Sequence, residues 1–236
     1  MRTVFGLGRR AELLVSRIVP RRTSPVAGLV TSGSATAGSR PLLTDRLGPQ
    51  QRDGAVLDQV DGTTCGSAVL IAVAAWADPA ELERLEGGPG DGRALFGAGF
   101  GARFDARQQQ VHRQTNRFWP RALGTTPWGA VRWLHDHVPA AGRHRVRLVD
   151  DTSADDLAEV LSAVGAVLAT GRPVPLLVGS SIPRHWVLAL GADDLAWRVY
   201  EPTAGQVRAV EPDAIRERRL APVLGFDRLH AVLLPA

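Results

Sequence analysis

Apolar and polar positions divide this chain into two parts with different periods. Residues 65–77, Cys65-Gly66-Ser67-Ala68-Val69-Leu70-Ile71-Ala72-Val73-Ala74-Ala75-Trp76-Ala77, are apolar on every side of a helix. That pattern predicts a buried central helix rather than a surface one. Asp61, Thr63 and Thr64 stand just before it as candidate caps. Asp78-Pro79-Ala80-Glu81 reads as a cap with proline at the first helical position, and helix follows to Glu86. Phe104 to Trp119 is polar and Gln-rich, which predicts an exposed helix ended by Pro120. Thr126-Pro127-Trp128 opens another, with Trp128, Val131, Trp133, Leu134 and Val138 apolar. Ser153-Ala154-Asp155-Asp156 caps a further one, running to about Thr170 and stopped by Gly171.

Beyond Gly171 the period shortens. Val174 to Val178, His185 to Leu190, Ala196 to Tyr200, Gln206 to Val210 and Leu229 to Leu234 are short and rich in strand formers. Gly191-Ala192-Asp193-Asp194 and Pro202-Thr203-Ala204-Gly205 are the turns between them, and Glu211 to Arg218 reads as a late helix. Helices first and an antiparallel sheet second make an α+β fold. Gly87 to Gly101, with seven glycines and one proline, is loop chemistry. Its Gly97-x-Gly99-x-Gly101 spacing misses a dinucleotide fingerprint.

Residues 1–50 differ from the rest in their Arg pairs and their Ser, Thr, Gly and Pro clusters. They read as a flexible or loosely packed Arg-rich arm, with one short amphipathic helix from Ala11 to Val19. The domain proper is then 51–236. The apolar core Leu13-Leu14-Val15 is too brief for a secretion signal, although export remains the lesser reading.

Composition narrows the function classes. The chain has 236 residues, 44% of them hydrophobic, with six Trp, which is enough for one domain with a core. No apolar run approaches the ~18 residues that cross a bilayer, so no integral membrane segment is expected. The net charge of +4 comes from 28 basic residues, all Arg, against 24 acidic ones. The densest basic runs, Arg9-Arg10, Arg21-Arg22 and Arg143 to Arg147, are short and lack interleaved aromatics, so nucleic acid is not an expected partner. The single cysteine excludes an intrachain disulfide framework, and a free thiol is easiest to keep in the reducing cytoplasm. The histidines have no metal-ligand spacing, so neither a metal nor another cofactor is expected. Oligomeric state does not follow from the sequence.

That cysteine is also where chemistry is legible. A cysteine attacks as its thiolate, which an imidazole or a helix N-terminus favours. Cys65 stands where the apolar helix should begin. His185, opening a predicted strand, is the candidate imidazole, and Glu201 on the next strand is the candidate group to orient it. A tight turn near Asp193-Asp194 would bring His185 and Glu201 to one end of an antiparallel pair, with strands ~5 Å apart. Asp193, Asp194 or a neutral amide are rivals to Glu201. Gln59, six positions before Cys65, is a candidate donor to an oxyanion.

Three blocks resemble the papain-like cysteine peptidases, closest to the branch of bacterial double-glycine leader peptidases and related stand-alone proteins. They are Gln59-Val60-Asp61-Gly62-Thr63-Thr64-Cys65-Gly66-Ser67-Ala68, His185-Trp186-Val187-Leu188-Ala189-Leu190-Gly191, and Tyr200-Glu201-Pro202-Thr203-Ala204-Gly205. The resemblance implies Cys65 as nucleophile, His185 as general base and acid, Gln59 as oxyanion donor and Glu201 at the family's Asp-Pro position. It implies a peptide or protein substrate and no cofactor. Glu in place of Asp, and the missing Trp after the nucleophile, depart from the family pattern. Transpeptidase or acyltransferase chemistry, or an inactive peptide-binding module, are the alternatives.

Overall fold

The computed structural model describes residues 3–18, 41–87 and 98–236. In chain order, helix α1 (Val4–Ile18) is followed by three two-residue strands, β1 (Gly48–Pro49), β2 (Gln51–Arg52) and β3 (Ala55–Val56). Helices α2 (Cys65–Ala77), α3 (Pro79–Leu85), α4 (Phe100–Thr115) and α5 (Pro127–His137) come next. Strand β4 (His144–Leu148) and helix α6 (Ala154–Leu168) lead into β5 (Val174–Gly179), β6 (Pro183–Ala192), β7 (Trp197–Glu201) and β8 (Gln206–Val210). Two short helices, α7 (Pro212–Arg216) and α8 (Ala221–Leu224), precede β9 (Arg228–Pro235). The fold is α+β.

Seven strands form one antiparallel sheet in the order β1-β8-β7-β6-β5-β9-β4, and β2 and β3 pair separately. Alternate residues of β6 enter different cores. Trp186 and Leu188 pack with α2, Val69, Leu70 and Tyr200. Val187 and Ala189 pack with Val160, Leu161 and Val164 of α6. The sheet is therefore buried on both faces, which is why β5, Val-Pro-Leu-Leu-Val-Gly, is apolar throughout rather than alternating.

Helix α2 occupies the first of these cores, between β6 and the helices α4 and α5. Residues 65–74 are all buried, as an all-round apolar helix requires. The caps of the following helices form as the sequence predicts. Asp78 accepts the Ala80 N–H, Thr126 that of Gly129, and Ser153 that of Asp156.

Two sequence expectations need correction, and two further features were not anticipated. Helix α4 is not an exposed helix. Phe100, Phe104, Gln108, Val111 and Thr115 form a buried stripe along it, and it ends at Thr115. Its Gln-rich composition hid a spacing of about four residues. Within α5, Trp128 is exposed while Trp133 and Leu134 are buried. The basic run 143–147 is largely strand β4, paired with β9 along its whole length. Arg147 is buried there because its guanidinium makes two bonds to Asp156, at 2.7 and 3.2 Å. Finally, the first 50 residues are not uniformly a loose arm. Helix α1 begins at Val4, well before Ala11, and its Arg9 and Arg10 pair with the buried Asp156 and Asp150. Leu42 is in the core and β1 joins the sheet beside β8. Residues 19–40, and most of the predicted glycine loop at 88–97, lie outside the described residues.

Asp156 is the hub of that corner. Burial would raise its carboxyl, but bonds from Arg147, the Asp150 N–H and Arg9 hold it below the usual range. Asp156→Ala should lower the unfolding free energy by about 3–5 kcal/mol, because it leaves the buried Arg147 guanidinium with only the exposed Glu159 as a carboxylate partner, at 3.2 Å. A urea melt checks this, and a change within about 0.5 kcal/mol would show that the pair is not structural.

Candidate functional site

The loop 58–64 sets the start of α2. Thr64 Oγ1 donates to the Asp61 carbonyl at 3.2 Å and accepts the Asp61 N–H at 3.1 Å. Asp61 Oδ1 in turn accepts from the Thr63 N–H at 2.8 Å and the Thr63 hydroxyl at 2.7 Å. None of the three candidate caps therefore caps α2, because their polar groups close the preceding turn on itself. The first N–H groups of the helix, at Cys65, are left without a side-chain acceptor. Burial would raise the Asp61 carboxyl, but Thr63 and Gln109 hold it below the ordinary value.

Gly66 explains how α2 comes so close to its neighbours. A Cβ at this position would lie 2.8 Å from Thr125 Cβ and 3.0 Å from Trp186 Cδ1. Trp186 donates its indole N–H to the Thr125 carbonyl at 2.8 Å, locking the pair that Gly66 packs on. The residue after Cys65 thus touches the residue after His185, and this contact registers the helix on the strand.

His185 and Glu201 meet as the strand pairing allows. His185 Nε2 lies 2.7 Å from Glu201 Oε1, and both side chains are buried. The extra methylene of Glu is taken up by folding the carboxylate into its own turn. Oε1 also accepts the Thr203 N–H at 2.7 Å and Oε2 the Ala204 N–H at 3.1 Å. Burial would raise the Glu201 carboxyl, yet these bonds and His185 hold it down to about 2. Burial would likewise lower the imidazole, but hydrogen bonds and charge from Cys65 and Glu201 outweigh it and hold His185 up to about 9. With Nε2 facing Glu201, Nδ1 is the nitrogen left for the sulfur. The rival Asp193 is engaged elsewhere, accepting the Leu195 and Ala196 N–H groups.

Gln59 is held beside the Glu201 turn. Its N–H donates to the Pro202 carbonyl at 2.8 Å, and its Oε1 accepts from the Thr203 hydroxyl at 3.4 Å. Its Nε2 gives one hydrogen to the Asp61 carbonyl at 2.7 Å and has a second to offer. Gln108, fully buried on α4, brackets it: Nε2 donates to the Asp58 carbonyl at 2.9 Å and Oε1 accepts the Val60 N–H at 3.2 Å. Tyr200 ties the same loop down through Leu57, and burial pushes its phenol upward. Gln108, Thr125 and Tyr200 were not singled out by sequence as supports. The spacing of Gln108 from Phe104 and Val111 is the one signal that marks it as inward-facing.

Cys65 keeps 4% of its surface and His185 5%. The more exposed groups around them are Gln59, Gly62, Thr63 and Thr203. Compared with protein-family models, curated proteins and solved structures, the chain matches none. No helix among the described residues is long and apolar enough to cross a membrane.

Two outcomes follow from this geometry. Gly66→Ala should destabilise the fold by about 1–3 kcal/mol through overpacking, and slow any modification of Cys65. Thermal melts and alkylation rates read the two effects, and a fully neutral substitution would contradict the close approach. The second concerns pH. The His185 contribution to stability should be complete below pH 6.5 and lost as pH rises through about 9. That of Glu201 should be complete above pH 4.5 and lost as pH falls through about 2. The gap in urea midpoint between the native chain and Glu201→Gln should therefore be widest between pH 4.5 and 6.5.

Proposed function

We propose that the protein is a papain-like cysteine peptidase, a thiol hydrolase of peptide bonds. The observation that carries this reading is the imidazole of His185, held by Glu201 Oε1 at 2.7 Å and kept protonated to about 9 by the influence of Cys65 and Glu201. A buried histidine with no task is ordinarily neutral; this one keeps its proton to about 9. A cation facing a sulfur at a helix start is the arrangement that generates a nucleophilic thiolate.

In this mechanism the Cys65 sulfur attacks the peptide carbonyl carbon, forming a C–S bond and an oxyanion. The second hydrogen of Gln59 Nε2 and the Cys65 N–H donate to that oxygen. His185 gives its proton from Nδ1 to the leaving nitrogen as the C–N bond breaks. It then takes a proton from water, whose oxygen displaces sulfur from the thioester and releases the acid. Glu201 keeps the ring oriented and its charge balanced throughout, without exchanging the proton.

The test is turnover of a fluorogenic peptide library together with alkylation by iodoacetamide across pH. Cys65→Ala should abolish both. Gln59→Ala should reduce kcat about 10²-fold or more while leaving alkylation of Cys65 largely intact. Turnover should fall as pH rises through about 9, where His185 loses the proton that the leaving amine needs. Glu201→Gln should move that limb to lower pH, since an anion beside the imidazole is gone. Alkylation no faster than that of free cysteine, and unchanged in His185→Ala, would sink the reading.

The small exposure of Cys65 favours one alternative, a catalytically silent module that binds a peptide without cutting it. Under it, Cys65→Ser would preserve the cellular function. Acyl transfer to an amine instead of water uses the same Cys–His pair and is distinguished by product analysis with an added amine.

A further inference from the structure

Between Asp105 and Asp136 the chain contains no acidic residue and five arginines; Arg107 pairs with Glu81, and the other four are Arg113, Arg117, Arg121 and Arg132. All four are exposed, and among the described residues none forms an ion pair. They surround the connection from α4 to α5. Three large apolar side chains stand on that connection, Phe118 at 78% exposure, Leu123 at 66% and Trp119 at 45%. The guanidinium groups of Arg117 and Arg132 lie 5.5 and 5.6 Å from the centre of the Phe118 ring. So much apolar surface in one loop, flanked by cations that have no carboxylate partner among the described residues, marks a contact surface.

Its position is fixed. The connection ends at Thr125, which packs on Gly66 and accepts the Trp186 indole N–H. A Cβ on Gly124 would lie 3.7 Å from the Thr63 carbonyl. The loop is therefore anchored at the residues flanking both Cys65 and His185. Its root is held by Asn116 Nδ2, which donates to the His112 carbonyl at 3.0 Å.

We infer that this Arg–aromatic loop is the substrate-recognition wall of the candidate site, and that it selects acidic peptides that also carry apolar side chains. The inference names the substrate class for the peptidase reading and rests on that reading for the fate of the peptide, not for its binding. Cations without carboxylate partners complement an acidic chain, and the exposed rings and Leu123 complement its apolar residues. A nucleic acid is less well matched. Bases stack on open ring faces, whereas the face of Phe118 already meets guanidinium groups.

The experiment measures fluorescence anisotropy of fluorescein-labelled Glu–Leu, Ser–Leu and Lys–Leu repeat peptides of equal length, on Cys65→Ala protein so that nothing is cut. The Glu–Leu peptide should bind about tenfold tighter than Ser–Leu at low salt, as several exposed charge pairs together provide. The preference should vanish in an Arg117→Glu/Arg121→Glu variant of the same protein and shrink with added salt. If that variant does not fold, as judged by circular dichroism, Arg117→Gln/Arg121→Gln replaces it. Equal binding of the three peptides, or a preference that survives the substitutions, overturns the inference. So does an oligothymidine that binds more tightly than the Glu–Leu peptide and loses affinity in the same variant. Cys65-intact protein that leaves the Glu–Leu peptide uncut, while the charge preference holds, defeats the hydrolase reading and leaves the recognition surface standing.

Discussion

The tertiary structure is organised by the need to cover α2. Its residues 65–74 present no polar side to solvent, so water must be excluded around the whole circumference. The sheet covers one side through Trp186 and Leu188, and α4 and α5 cover the other through Phe104, Val111 and Leu134. A helix enclosed in this way cannot rotate or slide without opening voids in close-packed surroundings. Its N-terminus is therefore fixed relative to the sheet, and Cys65 with it. Gly66 is the finest expression of the constraint, since only a residue without a Cβ lets the helix reach Thr125 and Trp186.

Around that fixed point the polar groups form a connected scaffold. Thr125 and Trp186 join the helix start to β6, and His185 joins β6 to the Glu201 turn. Thr203 and the Pro202 carbonyl join that turn to Gln59. Gln108 joins the loop around Gln59 to α4. Buried polar groups are tolerated only when their partners are met, and here nearly every partner is supplied by another member of the same ring. The electrostatics follow. A carboxylate fixed by two backbone N–H groups stays ionised, and Cys65 together with that carboxylate keeps the buried imidazole protonated.

Some of this could be read before any coordinates. Cys65, His185 and Glu201 carried the signal because their types are rare in apolar or strand-forming surroundings. The strands from Val174 onward, and the helices capped by Asp78, Thr126 and Ser153, were legible because caps and apolar spacing are local properties. Strand β4 was hidden because Arg147 looks solvent-facing until Asp156 is brought to it from another element. The inner stripe of α4 was hidden because Gln108 is polar, and its burial depends on backbone groups fifty residues away in the chain.

The sequence by itself determined that a wholly apolar helix begins at the single cysteine and that an antiparallel sheet follows, because periodicity and composition act over short distances along the chain. Only the tertiary structure decided that both faces of the sheet are buried, that α1 docks on a cluster of acids, and that Glu201 rather than Asp193 faces His185. Those outcomes depend on which distant groups become neighbours. Side-chain type constrains such pairings, but only packing selects among them.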